Sequence, residues 1–269
     1  MAQVMDEPVA NDRLSSFNAA LARSGHGVLL FDYDGTLAPF ALDTNAVRPY
    51  PGIAAALDAI MDTARARVLI VTGRYLKATP PALDTRNRPE IWGSHGRERL
   101  QPDGRYDVAP IDEFALRGLA IADAWKADVE AAGGRAEAKP GAIAFHWRGT
   151  GAAQMARIRD LVTAGFHAEA LEGVLELRHF DGGLELRAPG LDKGDVVRSV
   201  LTETAPEVPV AYLGDDLTDE DAFKALRGRG LSVLVRGECR QTAADLWVRP
   251  PQALLELLGL WRDALAEAL

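Results

Sequence analysis

Hydrophobic and polar positions follow two different regimes along this chain. In the first third, the apolar runs Gly27-Val28-Leu29-Leu30-Phe31 and Val68-Leu69-Ile70-Val71 stand on either side of a helical stretch from Pro51 to Arg65. Short unbroken apolar runs bounded by turn signals read as strands buried on both faces. Pro51 suits the first turn of a helix, where its missing N–H leaves nothing unsatisfied. Ile91-Trp92-Gly93-Ser94-His95 predicts a further strand. Strand and helix in alternation imply a parallel sheet with helices on both faces.

The middle third changes period. Asp112 to Ala132 predicts an alanine-rich helix ended by Gly133-Gly134. Two short strands, Arg135–Lys139 and Ala142–Arg148, flank the turn dipeptide Pro140-Gly141. A second helix over Ala152–Ala164 precedes strands Gly173–Phe180 and Gly183–Ala188, joined at Asp181-Gly182-Gly183, which suits a tight hairpin. The order αββ therefore occurs twice. From Lys193 the parallel pattern resumes: a helix to Thr204, strands at 208–213 and Leu231–Val235, and an amphipathic helix from Pro251 to Leu269. The expectation is an α/β fold with a Rossmann-like, doubly wound parallel sheet core over 13–102 and 189–269. An inserted α+β (αββαββ) cap domain is expected over 103–188, and a disordered arm over 1–12.

Composition narrows the function classes. The 269 residues are 48% hydrophobic and carry a net charge of −9, which argues against nucleic acid or an anionic membrane as partner. One cysteine, Cys239, allows no intrachain disulfide and fits a reducing compartment. The polar start from Met1 to Arg13 has no apolar signal core, and no apolar run is long enough to span a bilayer. A cytoplasmic monomer acting on a small molecule is expected.

The chemistry concentrates where the apolar runs end. Asp32 and Asp34 follow the first strand run, in Phe31-Asp32-Tyr33-Asp34-Gly35-Thr36-Leu37-Ala38-Pro39. Carboxylates leaving a buried strand are costly unless paired or bound to a metal, and ligands of open α/β sheets bind at the strands' carboxyl ends. Thr72 closes the second run, Lys193 sits in Gly190-Leu191-Asp192-Lys193-Gly194, and Gly214-Asp215-Asp216-Leu217-Thr218-Asp219-Glu220-Asp221 follows the strand at 208–213. Each has a bland alternative: an Asp-Gly turn, an ordinary strand exit, a solvated lysine, acids capping a helix. Together they hold the groups for Mg²⁺-dependent phosphoryl transfer through an aspartyl-phosphate, with Asp32 as nucleophile and Asp34 as acid and base. Mg²⁺ prefers oxygen ligands, and Asp215, then Asp219, are the first candidates. His95 in Gly93-Ser94-His95-Gly96 is ambiguous alone. In the insert, Glu137 with Lys139, His146 with Arg148, and Glu185 with Arg187 share strand parity, so each pair faces one side.

These motifs resemble those of the trehalose-6-phosphate phosphatases, in the haloacid dehalogenase-like superfamily, from about Gly27 to Leu258. Phe-Asp-Tyr-Asp-Gly-Thr-Leu-Ala-Pro and Gly-Asp-Asp-Leu-Thr-Asp-Glu-Asp-Ala-Phe resemble the first and last signatures of that family. Gly93-Ser94-His95-Gly96-Arg97-Glu98 is similar to its Gly-x-His-Gly-Ala-Glu segment, and Glu137-x-Lys139, His146-Trp147-Arg148 and Leu184-Glu185-Leu186-Arg187 to its cap motifs. The resemblance implies Asp32 as nucleophile, Asp34 as general acid/base, and Thr72 with Lys193 as phosphate clamp. It implies Mg²⁺ held by Asp32, the Asp34 carbonyl and Asp215, and sugar contacts from Glu137, Lys139 and Glu185 with His95, Arg148 and Arg74. Arg97 and Trp147 depart from the family's usual small residue and Tyr. Another glycosyl or polyol phosphate is the nearest alternative substrate. A phospho-accepting signalling domain is an alternative of another class, against which Asp34 and the insert argue, and a phosphomutase a further one.

Overall fold

The computed structural model describes residues 3–4, 12–39, 47–76, 83–180 and 182–267. Its first segment runs β1 (Gln3–Val4), α1 (Asp12–Ser24), β2 (Gly27–Phe31), α2 (Ile53–Asp62), β3 (Ala66–Val71), β4 (Glu90–Gly93), β5 (Glu98–Leu100) and β6 (Tyr106–Val108). The insert follows with α3 (Glu113–Asp123), α4 (Lys126–Ala131), β7 (Arg135–Lys139), β8 (Ala142–His146), α5 (Ala152–Ala168), β9 (Glu176–Phe180) and β10 (Gly183–Arg187). The chain then continues through α6 (Lys193–Thr202), β11 (Val210–Gly214), α7 (Glu220–Leu226), β12 (Leu231–Val235), β13 (Leu246–Val248) and α8 (Gln252–Ala266). It forms two compact units, Met1–Asp107 with Asp192–Leu269, and Val108–Leu191. Gln3–Val4 pair in parallel with Leu246–Trp247, inside the stretch where an unstructured arm was expected; the rest of 1–11 lies outside the described residues. Among those residues no helix is long and apolar enough to cross a membrane.

Nine strands of the larger unit form one sheet in the order β1-β13-β12-β11-β2-β3-β4-β5-β6. The ladders from β1 to β4 are parallel and β5 runs antiparallel to β4. Both faces are covered, as unbroken apolar runs require. Leu29, Phe31, Ile70, Leu213 and Val233 pack with Leu14, Phe17, Leu57, Leu258 and the fully buried Trp261 of α1, α2 and α8. The alternate residues Val28, Leu30, Leu69, Val71 and Tyr212 pack with Val196, Val197, Val200, Phe223 and Leu226 of α6 and α7. Full burial of each such side chain stabilises by about 1.5–3 kcal/mol before chain entropy is subtracted.

The smaller unit has an antiparallel sheet, β7-β8-β10-β9. Ile143, Phe145, Leu184 and Leu186 on one face pack with Ala115, Leu119, Ile158, Val162 and Phe166 of α3 and α5. The opposite parity carries Glu137, Lys139, Glu185 and Arg187, with Glu137 in register with Ala144 and Ala144 with Glu185. The helix expected over 112–132 is two helices. Trp125 between them stacks on Phe145 at 6.3 Å, against Gly165, where a Cβ would come within 2.8 Å of the indole. Bonds from Ala124 N to Ile121 O (3.2 Å) and Trp125 N to Ala122 O (3.1 Å) tighten the turn that makes this packing possible.

Candidate active site

The sheet order brings the polar residues together. β2 lies between β11 and β3, with Phe31 opposite both Leu213 and Ile70. Asp32, one residue on, therefore leaves the sheet beside Gly214-Asp215 and Val71-Thr72, and its N–H still donates to Leu213 O at 2.8 Å. Lys193 opens α6, whose N-cap is Asp192 with a side-chain bond to Asp195 N at 2.9 Å. The fully buried ammonium donates to Asp32 Oδ1 at 2.6 Å and Asp219 Oδ1 at 2.7 Å.

Asp32, Asp215 and Asp219 are all buried, and an oxygen from each lies within 4.8 Å of the others. Asp219 is fully engaged. Its Oδ1 accepts from Lys193 and from Tyr212 Oη (2.7 Å), and its Oδ2 from the N–H groups of Asp215 (3.0 Å) and Asp216 (2.9 Å). Asp215 Oδ1 meets Thr36 Oγ1 at 3.4 Å, and the same hydroxyl lies 3.4 Å from Asp32 Oδ2. Asp215 Oδ2 is buried and accepts no hydrogen bond. Arg236, more than a third exposed, comes only to 3.7 Å from it. Gly35 lets this carboxylate pack against the main chain: a Cβ there would lie 2.2 Å from Oδ2 and 2.4 Å from Cγ, and φ is +89°.

The electrostatics express this crowding. Burial, followed by the charges of Asp32 and Asp219, pushes the Asp215 carboxyl up to about 10. Burial also raises Asp32 to about 7, against the attraction of Lys193. Burial alone would favour neutral Lys193, but Asp219 and Asp32 outweigh it and its pKa is raised. Three carboxylates facing one lysine leave negative charge that a divalent cation would balance. The donor set is all oxygen, and one buried oxygen lacks a hydrogen-bond partner. These residues fit a hard cation.

Asp34 stands apart from the trio. Its half-buried carboxylate is gripped by Arg74, from Nε to Oδ2 at 2.6 Å and from Nη2 to Oδ1 at 2.5 Å, and the guanidinium lies 5.0 Å from the Tyr33 ring centre. Arg74, expected at the sugar, thus spends its fork on Asp34. The Thr72 hydroxyl accepts from Arg74 N at 3.1 Å. β4, expected to reach His95, ends at Gly93 because Ser94 and His95 adopt φ of 48° and 55° and turn the chain. His95 N donates to Thr72 O at 3.0 Å, and its ring covers Gly73, where a Cβ would sit 2.7 Å from it. The bend is tied by Glu98, fully buried, which accepts from Ser94 Oγ (2.7 Å), Leu76 N (3.3 Å) and Tyr106 Oη (2.7 Å).

The remaining predicted residues lie in the smaller unit. Lys139 Nζ donates to Glu185 Oε1 at 3.0 Å, both side chains being almost inaccessible. Glu137 Oε2 lies 3.2 Å from His146 Nε2 and from Arg135 Nη1, and its pKa falls to about 2 through the contact with His146. Arg148 follows β8 and is half-buried, its Nε within 3.0 Å of where a Cβ on Gly182 would sit.

The profile of the trehalose-phosphatase family matches residues 30–245, which contain all of the sites above. The chain is 33% identical over 251 residues to the trehalose-phosphate phosphatase of Mycobacterium marinum, an alignment covering 86% of this chain and 60% of that protein. This chain belongs to the trehalose-phosphatase family. It spans about 60% of the length of that curated relative. The C-terminal domain of Candida albicans trehalose-6-phosphate phosphatase shares the family fold with a TM-score of 0.78 at 22% identity, covering 94% of this chain and 97% of that one. The C-terminal domain of a C. albicans trehalose synthase regulatory protein also shares it, with a TM-score of 0.70 at 15% identity, covering 95% of this chain and all of that one. Fold alone therefore does not separate the trehalose phosphatases from that protein, and the side chains must.

Thr36, Tyr212 and Glu98 belong to this site and were given no role from sequence. Thr36 and Glu98 lie inside the family motifs, which was a usable signal. Tyr212 lies in a strand that reads simply as apolar.

Proposed function

We propose that the protein is a Mg²⁺-dependent phosphatase that hydrolyses trehalose 6-phosphate to trehalose and phosphate through an aspartyl-phosphate, as a cytoplasmic monomer. The observation that carries this is Lys193 bridging Asp32 and Asp219 while Asp34, two residues from Asp32, is held off the cluster by Arg74. One carboxylate, beside Lys193, serves as nucleophile, and the other, oriented by Arg74 and outside the lysine's reach, serves proton transfer. That pairing separates hydrolysis from phosphate storage.

Asp32 attacks phosphorus, forming an Asp32 Oδ–P bond as the bond from phosphorus to the sugar oxygen breaks. Asp34 gives its proton to that oxygen. Water then attacks the acyl phosphate, Asp34 takes the water's proton, and Asp32 is released. Lys193 and the Thr72 hydroxyl hold the phosphoryl oxygens, stabilising charge where it develops. Asp32, Asp215 and the Asp34 carbonyl would hold the cation, which neutralises phosphoryl charge when bound. Asp219 keeps Lys193 and the 215–216 main chain in place. Glu137, Lys139, Glu185 and Arg148 would contact sugar hydroxyls, with His95. Tight pairing of Lys139 with Glu185 suits that role, since mutually oriented polar groups discriminate hydroxyl patterns better than an apolar wall does.

The test is phosphate release from trehalose 6-phosphate beside glucose 6-phosphate, sucrose 6-phosphate and glucosylglycerol phosphate, with Asp32→Asn as blank. A marked preference for the trehalose ester is expected, abolished in the variant. Preference for another ester would retain the chemistry and move the substrate. A stable phosphoprotein with no turnover would overturn the hydrolase reading.

A further inference from the structure

We propose that Arg240 is a positioning residue for the cation ligand Asp215, acting through the main chain of the acidic loop; this rests on the Mg²⁺-dependent reading above. Arg240 lies between β12 and β13, and its side chain is 19% exposed. Its five N–H groups are all in use. Nε donates to Asp215 O at 3.3 Å, and Nη2 to Asp215 O at 3.2 Å and Asp216 O at 2.7 Å. Nη1 donates to Gln241 O at 2.9 Å and pairs with Glu220 Oε1. Glu220 Oε2 in turn accepts from Ala243 N at 2.7 Å, so the loops after β11 and β12 are joined in both directions.

The arrangement around Asp215 and Asp216 is two-sided. Asp219 Oδ2 takes both of their N–H groups, and Arg240 takes both of their carbonyls. Arg236 adds one long bond, 3.4 Å, to Asp215 O. With the peptide groups held from both sides, the Asp215 carboxylate is carried in a fixed direction, packed against Gly35 and ending in an oxygen without a hydrogen bond. A planar guanidinium fork matches this set of acceptors, whereas the three-donor ammonium of lysine does not. Residues that orient ligands in this way are worth about 10–100-fold in metal affinity.

The experiment measures Mg²⁺ binding by calorimetry and by the Mg²⁺-induced rise in Tm for wild type, Arg240→Lys, Arg240→Gln and Arg229→Gln. Arg229 is the control for a carbonyl-bonding arginine elsewhere, donating to Val208 O at 3.1 Å and Ala205 O at 2.8 Å. Both Arg240 variants are expected to bind Mg²⁺ about 10–100-fold more weakly, with kcat at saturating Mg²⁺ within about threefold of wild type and an unchanged substrate KM. Arg229→Gln is expected to lower Tm and leave the Mg²⁺ Kd alone. A Kd for Arg240→Lys within about twofold of wild type, or one matched by Arg229→Gln, overturns the proposal. Absence of any Mg²⁺ response in wild type refutes the Mg²⁺-dependent reading instead. Should either Arg240 variant fail to fold, Glu220→Gln, which removes the charge partner and one of the two acceptors that join Arg240 and Ala243 N, carries the same test: weaker Mg²⁺ binding supports the clamp and unchanged binding overturns it.

Discussion

Single atoms decide much of this site. Gly35→Ala would set a Cβ 2.2 Å from Asp215 Oδ2 on a backbone with φ of +89°. The left-handed conformation alone costs about 1 kcal/mol for a residue with a Cβ, and the overlap adds to it. The expected outcome is a lower Tm and a lost Mg²⁺-induced rise, whereas a variant with a normal Mg²⁺ response would show that the position of the Asp215 carboxylate against Gly35 does not matter to cation binding. Glu98→Gln tests the bend that carries His95. Glu98 accepts three hydrogen bonds, and an amide, with one acceptor oxygen, cannot replace them all. A stability loss of about 1–3 kcal/mol is expected. KM for trehalose 6-phosphate should rise while turnover of p-nitrophenyl phosphate, which has no sugar, changes little; equal losses on both would assign Glu98 to the fold alone. Asp32, Thr72 and Asp215 stand out in the sequence because polar groups at the ends of apolar runs contradict their surroundings, and Lys193 stands out only beside them, as a lysine near glycines at a helix start. Tyr212 and Arg240 do not, because their meaning lies in partners brought near only by the fold, such as Asp215, 25 residues before Arg240.

At the scale of elements, the helix that starts with Lys193 is also fixed at its far end. Glu203, at the C-terminal cap of α6, pairs with Arg67 of β3 at 2.7 Å and Arg99 of β5 at 2.8 Å, and both arginines bond buried Glu90 of β4. Trp92 Nε1 donates to Glu90 as well, at 2.8 Å. Removing one member of such a network leaves partly buried charges unpaired, which costs up to about 3–5 kcal/mol. Glu90→Ala is therefore expected to lower Tm by several degrees, at about 2–4 °C per kcal/mol for a chain of this size. Unaltered thermal unfolding would show the network to be ornamental. The main strands were readable because unbroken apolar runs have one stable home, a sheet covered on both faces. β5, β6 and β13, of three residues each, were not: too short for a period, they exist through register with a neighbour or edge position. The α3–α4 break escaped for a related reason, since propensity favours one helix and Trp125 is drawn inward by Phe145 and Gly165.

For the whole molecule, the buried acids make stability a function of pH and cation together. Asp215 rises from 3.8 to about 10 and Asp32 to about 7, in both cases chiefly through burial. A folded state that holds protons the unfolded chain has released loses stability as pH rises. This contribution is therefore full below about pH 4, and falls through neutrality up to the folded values. Glu137 acts in the opposite sense: held near 2 by His146, it stabilises above its ordinary value and loses that contribution as pH falls from about 4.5 towards 2. Without a divalent cation, Tm should accordingly peak on the acidic side of neutrality and decline from pH 5 to pH 9. A bound cation changes the sign of the environment around Asp215, favours its ionised form and releases protons on binding. Tm measured in Mg²⁺ and in EDTA at pH 5, 7 and 9 should then diverge, with the gap widest at pH 9 and smallest at pH 5, where protons compete for the same oxygens. A gap that is constant or narrows with pH would mean that the cation does not bind the carboxylates of Asp32 and Asp215, and that another charge balances this cluster.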